Sequence, residues 1–288
     1  MLIKTDCMFY KYYPFAILLS LAACQGGGAP QGPPIEAHQE DWAVFLREED
    51  SAGPSVITVD LGWANVAPLE KHNKLMGVAV RAEGELPSGF PDEKEINLAN
   101  KLQDQLIRAL EKPGQGIFVG SSTSLGKKTF FFYLNDSRDP ERIAGQVLAG
   151  FKSRKVEHEL RKDPQWAIYF NLLFPTDKEL AEIRNERVLQ GLQDAGDRLN
   201  RPRPIDHWIY FPAAAQRDSF LQEARAEGFE PVSMDVRPEA GEYPYSLHII
   251  REDSIHIPYI HSLTWGLRQK AEKYNGNYDG WETVVVRE

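Results

Sequence analysis

The sequence predicts an α+β chain made of two successive βαββαβ units, the first carrying an extra N-terminal hairpin. Three observations support this. Apolar segments of strand length alternate with longer segments of helical spacing. The same order of six elements runs once from Leu75 and again from Asp206. Gly, Pro and Asp fall between the segments, where chains turn or helices start.

Lys4 and Lys11 precede an apolar run, Tyr13 to Ala23, that is too short to span a bilayer as a stable helix. The run has the layout of a secretory signal, with Met1 or Met8 as its start. It ends Leu21-Ala22-Ala23-Cys24, which resembles the lipobox of bacterial lipoproteins. That resemblance implies cleavage after Ala23, acylation of Cys24 and a protein held at the cell envelope, facing the periplasm. Residues 1–23 are then a signal peptide. Residues 24–40 begin Cys-Gln-Gly-Gly-Gly-Ala-Pro-Gln-Gly-Pro-Pro and read as a flexible tether.

The first domain is expected over 41–175. Asp41–Arg47 and Ser55–Leu61, with Gly53-Pro54 between them, form the extra hairpin. Leu75–Arg81 is the next strand. Pro91-Asp92-Glu93 opens a helix whose stripe is Ile96, Ala99, Leu102, Leu106, Ala109 and Leu110, ended by Lys112-Pro113-Gly114. Gly116–Ser122 and Lys128–Leu134 make a hairpin. The run Thr129-Phe-Phe-Phe-Tyr-Leu134 has no polar alternation and should be buried on both faces. Asp139-Pro140-Glu141 starts a short helix with a capping aspartate and proline at the first position. Lys155–Arg161 and Trp166–Phe174 follow as strands.

The second domain is expected over 176–288. Thr176-Asp-Lys-Glu179 fits a capping box for a helix to about Leu192. Arg198–Pro204 reads as a linker or exposed loop. Then come strand Asp206–Phe211, helix Ala213–Glu227, strands Phe229–Arg237 and Tyr245–Arg251, a helix striped by Ile257, Ile260, Thr264, Leu267, Ala271 and Tyr274, and a closing strand Tyr278–Val286. In both halves the order is that of the ferredoxin-like sandwich.

The net charge is −9, or −10 once residues 1–23 are removed, and neither half has a basic excess. Nucleic acid is therefore not expected as a partner. Cys7 and Cys24 are the only cysteines. Cleavage removes the first and acylation consumes the second, so no disulfide, cysteine nucleophile or thiolate metal site is expected.

The leading charged helix, Asp206-His-Trp-Ile-Tyr-Phe211, Ala226-Glu-Gly-Phe229 and above all Tyr278-Asp-Gly-Trp-Glu-Thr283 resemble the regulator of ribonuclease E activity B family. The resemblance covers 176–286 and implies a small inhibitor of that endonuclease. Within it, Asp279-Gly280 reads as a turn and Trp281 as the anchor of the last strand. Tyr278, Asp279, Gly280 and Trp281 are thus expected to be structural. Trp42, Leu86-Pro-Ser-Gly-Phe-Pro91 and Asp163-Pro-Gln-Trp166 resemble the domain-of-unknown-function family 695 over 41–175.

No catalytic motif is complete. Gly120 to Lys128 has five residues between its glycines and a lysine where a phosphate loop needs a hydroxyl, and a strand follows. It also lacks the last glycine of a nucleophile elbow. His158-Glu159 resembles the start of a zinc-protease helix, but Lys162 stands at the second ligand position. His256 and His261 are five apart, which separates them on a helix. Asp206-His207 is half a triad on a strand, where neighbours point to opposite faces. The expectation is a non-enzyme with no metal or cofactor: an envelope lipoprotein, joined to the membrane through Cys24, that binds another protein. A ribonuclease E-type inhibitor is the alternative, and a hydrolase of unrecognised type the third reading.

Overall fold

A computed structural model of the chain describes residues 2–4, 37–48, 53–83, 91–111, 115–135, 139–151 and 154–287. Cys24, the tether up to residue 36, residues 86–90 of the Leu86–Pro91 turn and the Lys112-Pro113-Gly114 stop lie outside those residues. So does the signal segment apart from Leu2–Lys4. The elements are β1 (Leu2–Lys4), β2 (Trp42–Arg47), β3 (Ser55–Asp60), β4 (Lys74–Arg81), α1 (Glu93–Leu110), β5 (Gly116–Ser124), β6 (Lys127–Leu134), α2 (Pro140–Leu148), β7 (Val156–Lys162), α3 (Asp177–Asp194), β8 (Arg203–Phe211), α4 (Ala214–Ala226), β9 (Glu230–Ser233), β10 (Tyr245–Asp253), α5 (Ile257–Lys273) and β11 (Asn277–Val284). They divide into two compact units on either side of Thr176, with β1 in the sheet of the second.

In the first unit the strand order is β2-β3-β5-β6-β4-β7, antiparallel throughout. Its last four members are a ferredoxin-like sheet, extended at the β5 edge by the extra hairpin. Asp92 caps α1 by accepting from the Glu95 amide at 2.9 Å. Asp139 caps α2, with Pro140 behind it. The apolar stripes of both helices pack on Met76, Val78, Phe130 and Phe132, all fully buried. Each such side chain contributes about 1.5–3 kcal/mol by leaving water. The α1 stripe is buried at Ala99, Leu102, Leu106 and Leu110 as expected, and differs at its first position. Glu95, Ala99, Leu102, Leu106 and Leu110 are buried, whereas Ile96 is 45% exposed. A salt bridge from Arg154 to Glu95 at 2.7 Å makes that buried carboxylate tolerable.

The β6 run is buried on both faces, as its composition requires. Phe130 and Phe132 face the helices. Tyr133 faces the other way and stacks on Trp166 at 4.0 Å. Trp166–Phe174 is therefore not the expected strand. It forms a single wide helical turn, Tyr169–Leu173, closed by the Phe174 amide on the Tyr169 carbonyl, and it roofs the second face of the sheet. Asp163 sets this turn. One carboxylate oxygen accepts from the Ala167 amide at 2.8 Å; the other accepts from the Ile168 amide at 3.0 Å and the Tyr133 hydroxyl at 2.6 Å. Burial alone would raise the Asp163 pKa, but the Tyr133 hydrogen bond and the two amides outweigh it and hold the group below its ordinary value. Asp163→Ala is expected to orphan one hydroxyl and two amides. Its cost is about 3 kcal/mol, read as a fall of roughly 10 °C in this unit's melting temperature, with Asp163→Asn falling less.

In the second unit the order is β1-β11-β8-β10-β9, so β8 to β11 form a second ferredoxin-like sheet. Ile205, His207, Ile209 and Phe211 alternate inward along β8, and α3, α4 and α5 contribute to the cores on that face. The stretch expected as a linker is more than that. β8 begins at Arg203, which is buried in an ion pair with buried Asp197. Asp197 also accepts from the amides of Leu199 and Val286, so it ties the loop after α3 to the chain beyond β11. The expected strand Phe229–Arg237 is paired only over Glu230–Ser233, with an isolated bridge at Val236.

Candidate functional site

The motif Tyr278 to Thr283 lies within β11, and its Asp279-Gly280 pair is not the expected turn. The register against β8 shifts between Tyr278 and Gly280, leaving Asp279 as an extra residue in a bulge; Gly280 has φ 147°. This has a direct effect on phase. In an unbroken strand, residues 278 and 281 point to opposite faces. With one residue inserted, Tyr278 opposite Ile209 and Trp281 opposite His207 both point inward, followed by Thr283.

Each inward side chain of the motif reaches a polar partner. The Trp281 indole N–H donates to Asn185 Oδ1 on α3 at 2.7 Å. Asn185 Nδ2 donates to Thr264 Oγ1 on α5 at 2.8 Å, and that hydroxyl donates to the Ile260 carbonyl at 2.9 Å. Thr283 Oγ1 donates to the Pro204 carbonyl at 2.7 Å. The Tyr278 hydroxyl lies 2.9 Å from His207 Nδ1. His207 is fully enclosed; burial first, then the charges of Arg251 and His248, push its pKa down to about 3, so the ring is neutral. Beside the bulge, Arg184, Asn185, Thr264 and Arg268 line a recess of about 20 Å³. That is about one water molecule's room, not a substrate's. The motif thus ties α3, α5 and β8 together.

The other candidates are dispersed. Asp206 and His207 point to opposite faces; Asp206 pairs instead with His248 Nε2 at 2.6 Å, and His248 stacks on Trp208 at 4.6 Å. Ser246, two residues before His248, aims its hydroxyl at the Asp235 carbonyl at 3.4 Å, so no triad assembles there. His158 and Glu159 are exposed on strand β7, not on a helix. Gly120–Gly126 ends in a tight turn at Leu125-Gly126, both with positive φ, between β5 and β6. Among the described residues no group of three His, Cys, Asp or Glu could hold a metal ion, and no helix is long and apolar enough to cross a membrane. A larger concavity of about 320 Å³ lies on the first sheet, with Gly77, Ala79 and Thr129 on its floor and Lys127, Glu157, Glu159 and Arg161 around it. Its charged groups are of both signs.

Sequence reading placed Thr264 on the inward stripe of its helix but missed Asn185, which bonds it, and the Asp197–Arg203 pair. Asn185 carried a usable signal, since it sits in an apolar stripe between Ile183 and Val188.

Residues 182–283 match the model of the family described as regulator of ribonuclease activity B. Residues 40–174 match a family of unknown function, DUF695. No curated protein matches the chain. Among solved structures, one of an unknown protein from Galdieria sulphuraria is 8% identical with a TM-score of 0.22, covering 74% of this chain and 99% of that one. The chain therefore joins a unit that resembles the family of unknown function 695 to a unit that resembles regulators of ribonuclease activity B.

Proposed function

We propose that the protein is a non-catalytic regulatory module that binds another protein while held at the bacterial cell envelope by a lipid on Cys24. The observation that carries this reading is the match of 182–283 to a family of regulators. The lipobox-like Leu21-Ala-Ala-Cys24 and the Gly- and Pro-rich residues after it support the anchor. The buried polar groups of the Tyr278–Thr283 motif are engaged inside the unit, with Asn185, His207 and the Pro204 carbonyl, which leaves the surface for recognition. A second reading, inhibition of a ribonuclease E-type endonuclease, rests on the resemblance of 176–286 to regulators of that enzyme; the matched family is described as a regulator of ribonuclease activity.

One experiment separates the two. Cells producing the full chain with a C-terminal tag are grown with a labelled fatty acid. Label is expected on the native chain and lost in Cys24→Ser; a native chain that takes up no label removes the anchor. The tagged chain is then captured from solubilised envelope. An envelope protein that co-purifies supports the first reading. Capture of a ribonuclease E-type enzyme, with slower decay of its substrate in the same cells, establishes the second.

A further inference from the structure

Among the described residues the two sheets have four edges, and three of them are protected against pairing with another chain. β7 reads Val-Glu-His-Glu-Leu-Arg-Lys and carries exposed charge along its length. β9 is four residues long, contains Pro231 and lies against a register shift in its pairing with β10. β1 is three residues long, and β11, which becomes that edge once residues 1–23 are removed, carries the bulge at Asp279. Charge, proline, irregularity and shortness are the devices by which edge strands avoid association. β2 has none of them. It is six residues in unbroken register with β3, from Trp42 opposite Asp60 to Arg47 opposite Ser55, without proline, glycine or bulge. Its one charge, Arg47, is directed at the carbonyls of Leu172 and Phe174.

The same strand presents an apolar row. Trp42, Val44 and Leu46 are 41%, 60% and 51% exposed, while Ala43 and Phe45 between them are buried. Trp42 lies 5.6 Å from Phe118, which places this row on the helix side of the sheet. α1 and α2 cover the inner strands there, and the row of β2 stands outside the core they form. Three apolar residues at period two, on an edge that no further strand among the described residues covers, are an uncommon exposure for a lone chain.

We propose that β2 is a homodimer edge, at which two copies of the chain pair their β2 strands antiparallel about Val44. The strand is complementary to itself in that register. A two-fold axis through Val44 keeps each row on its own face, sets Trp42 beside Leu46 of the second copy and Ala43 beside Phe45, and places Asp41 opposite Arg47 at both ends. Moving the axis by one residue either way leaves one end of the apolar row without an apolar partner. Glu40 and Glu48 fall beyond the paired strand. Two six-stranded sheets thereby become one sheet of twelve. This inference concerns the first unit alone and does not depend on the lipid anchor.

The test uses the full chain. In Val44→Cys the two introduced thiols meet on the axis at a Cα separation of about 4.5–5.5 Å, inside the range of a disulfide. Mild oxidation is expected to give a covalent dimer of twice the chain mass, while Thr58→Cys on β3 stays monomeric. Val44→Lys puts two like charges on the axis and is expected to weaken the dimer about tenfold or more in sedimentation, with the melting curve of the unit retained. A folded Val44→Cys chain that forms no dimer overturns the proposal. So does a cross-link to a different protein, which would make β2 an edge for another chain.

Discussion

Replacing Trp281 with alanine is expected to leave the second unit close to unfolded at room temperature. The indole is 1% exposed and belongs to the core formed by α3, β8 and α5. Large-to-small truncation at such a site costs about 3–5 kcal/mol. Asn185 then loses the N–H that its carbonyl oxygen accepts, a further cost of about 1–3 kcal/mol for an orphaned buried acceptor. The sum rivals the whole stability of a small domain, about 5–15 kcal/mol. Trp281→Phe separates the two contributions, because it keeps most of the ring and removes only the donor. A loss of about 1–3 kcal/mol is expected there, and adding Asn185→Leu should not double it, since the pair shares one hydrogen bond. Urea unfolding of the full chain is the measurement. If Trp281→Ala leaves every transition in place while changing what the protein binds, the motif is a recognition surface and not an internal clamp.

The second large effect is a loss of stability in mild acid that centres on His207. Its pKa is about 3 in the folded chain, against 6.5 for the free side chain. The unfolded chain therefore takes up a proton that the folded one refuses. The stability contributed by the neutral ring is complete above about pH 6.5 and is lost progressively as pH falls toward 3. Each pH unit within that window is worth about 1.4 kcal/mol, so about 2–3 kcal/mol should disappear by pH 4.5. His207→Gln, which cannot titrate, is expected to flatten the slope of this unit's urea midpoint between pH 7.5 and 4.5. An unchanged slope would show that the ring finds a counter-charge or water on protonation. His72, whose pKa burial and Lys71 also lower, gives the first unit a slope of the same sign. Asp163 and Asp197 have lowered values, so their contributions are present above the ordinary carboxylate range and are lost below it. In the first unit Glu111, whose pKa burial raises, contributes with the opposite sign, so the second unit is the one in which to read the histidine slope.

Much of the fold was legible because local pattern and tertiary role agree. The two-residue alternation of Ile205, His207, Ile209 and Phe211 is the inward face of β8. The unbroken apolar run in β6 is buried on both faces because it has a helix layer on one side and the Trp166 turn on the other. The same turn was misread as a strand. Its buried positions, Trp166, Tyr169 and Leu173, lie at helical spacing, but the bulky apolar residues between them hide that period. Ile96 was placed inside and Glu95 outside because hydropathy ranks the isoleucine higher. Arg154, 59 residues on, reverses the ranking. At the candidate site, the position of the motif was readable and its partners were not. The partners of Trp281 and Tyr278 lie 96 and 71 residues away, and no local rule brings Asn185 or His207 to them.

The bulge in β11 makes the closing strand a counting device. What the site demands of Asp279 is that a residue be there, since its presence sets the phase of everything after it. Deleting it would turn Trp281 and Thr283 to the outer face together while leaving each of them intact in the sequence. Among related chains, then, the spacing between the tyrosine and the tryptophan should be held, and a comparison that scores only letters would miss that constraint.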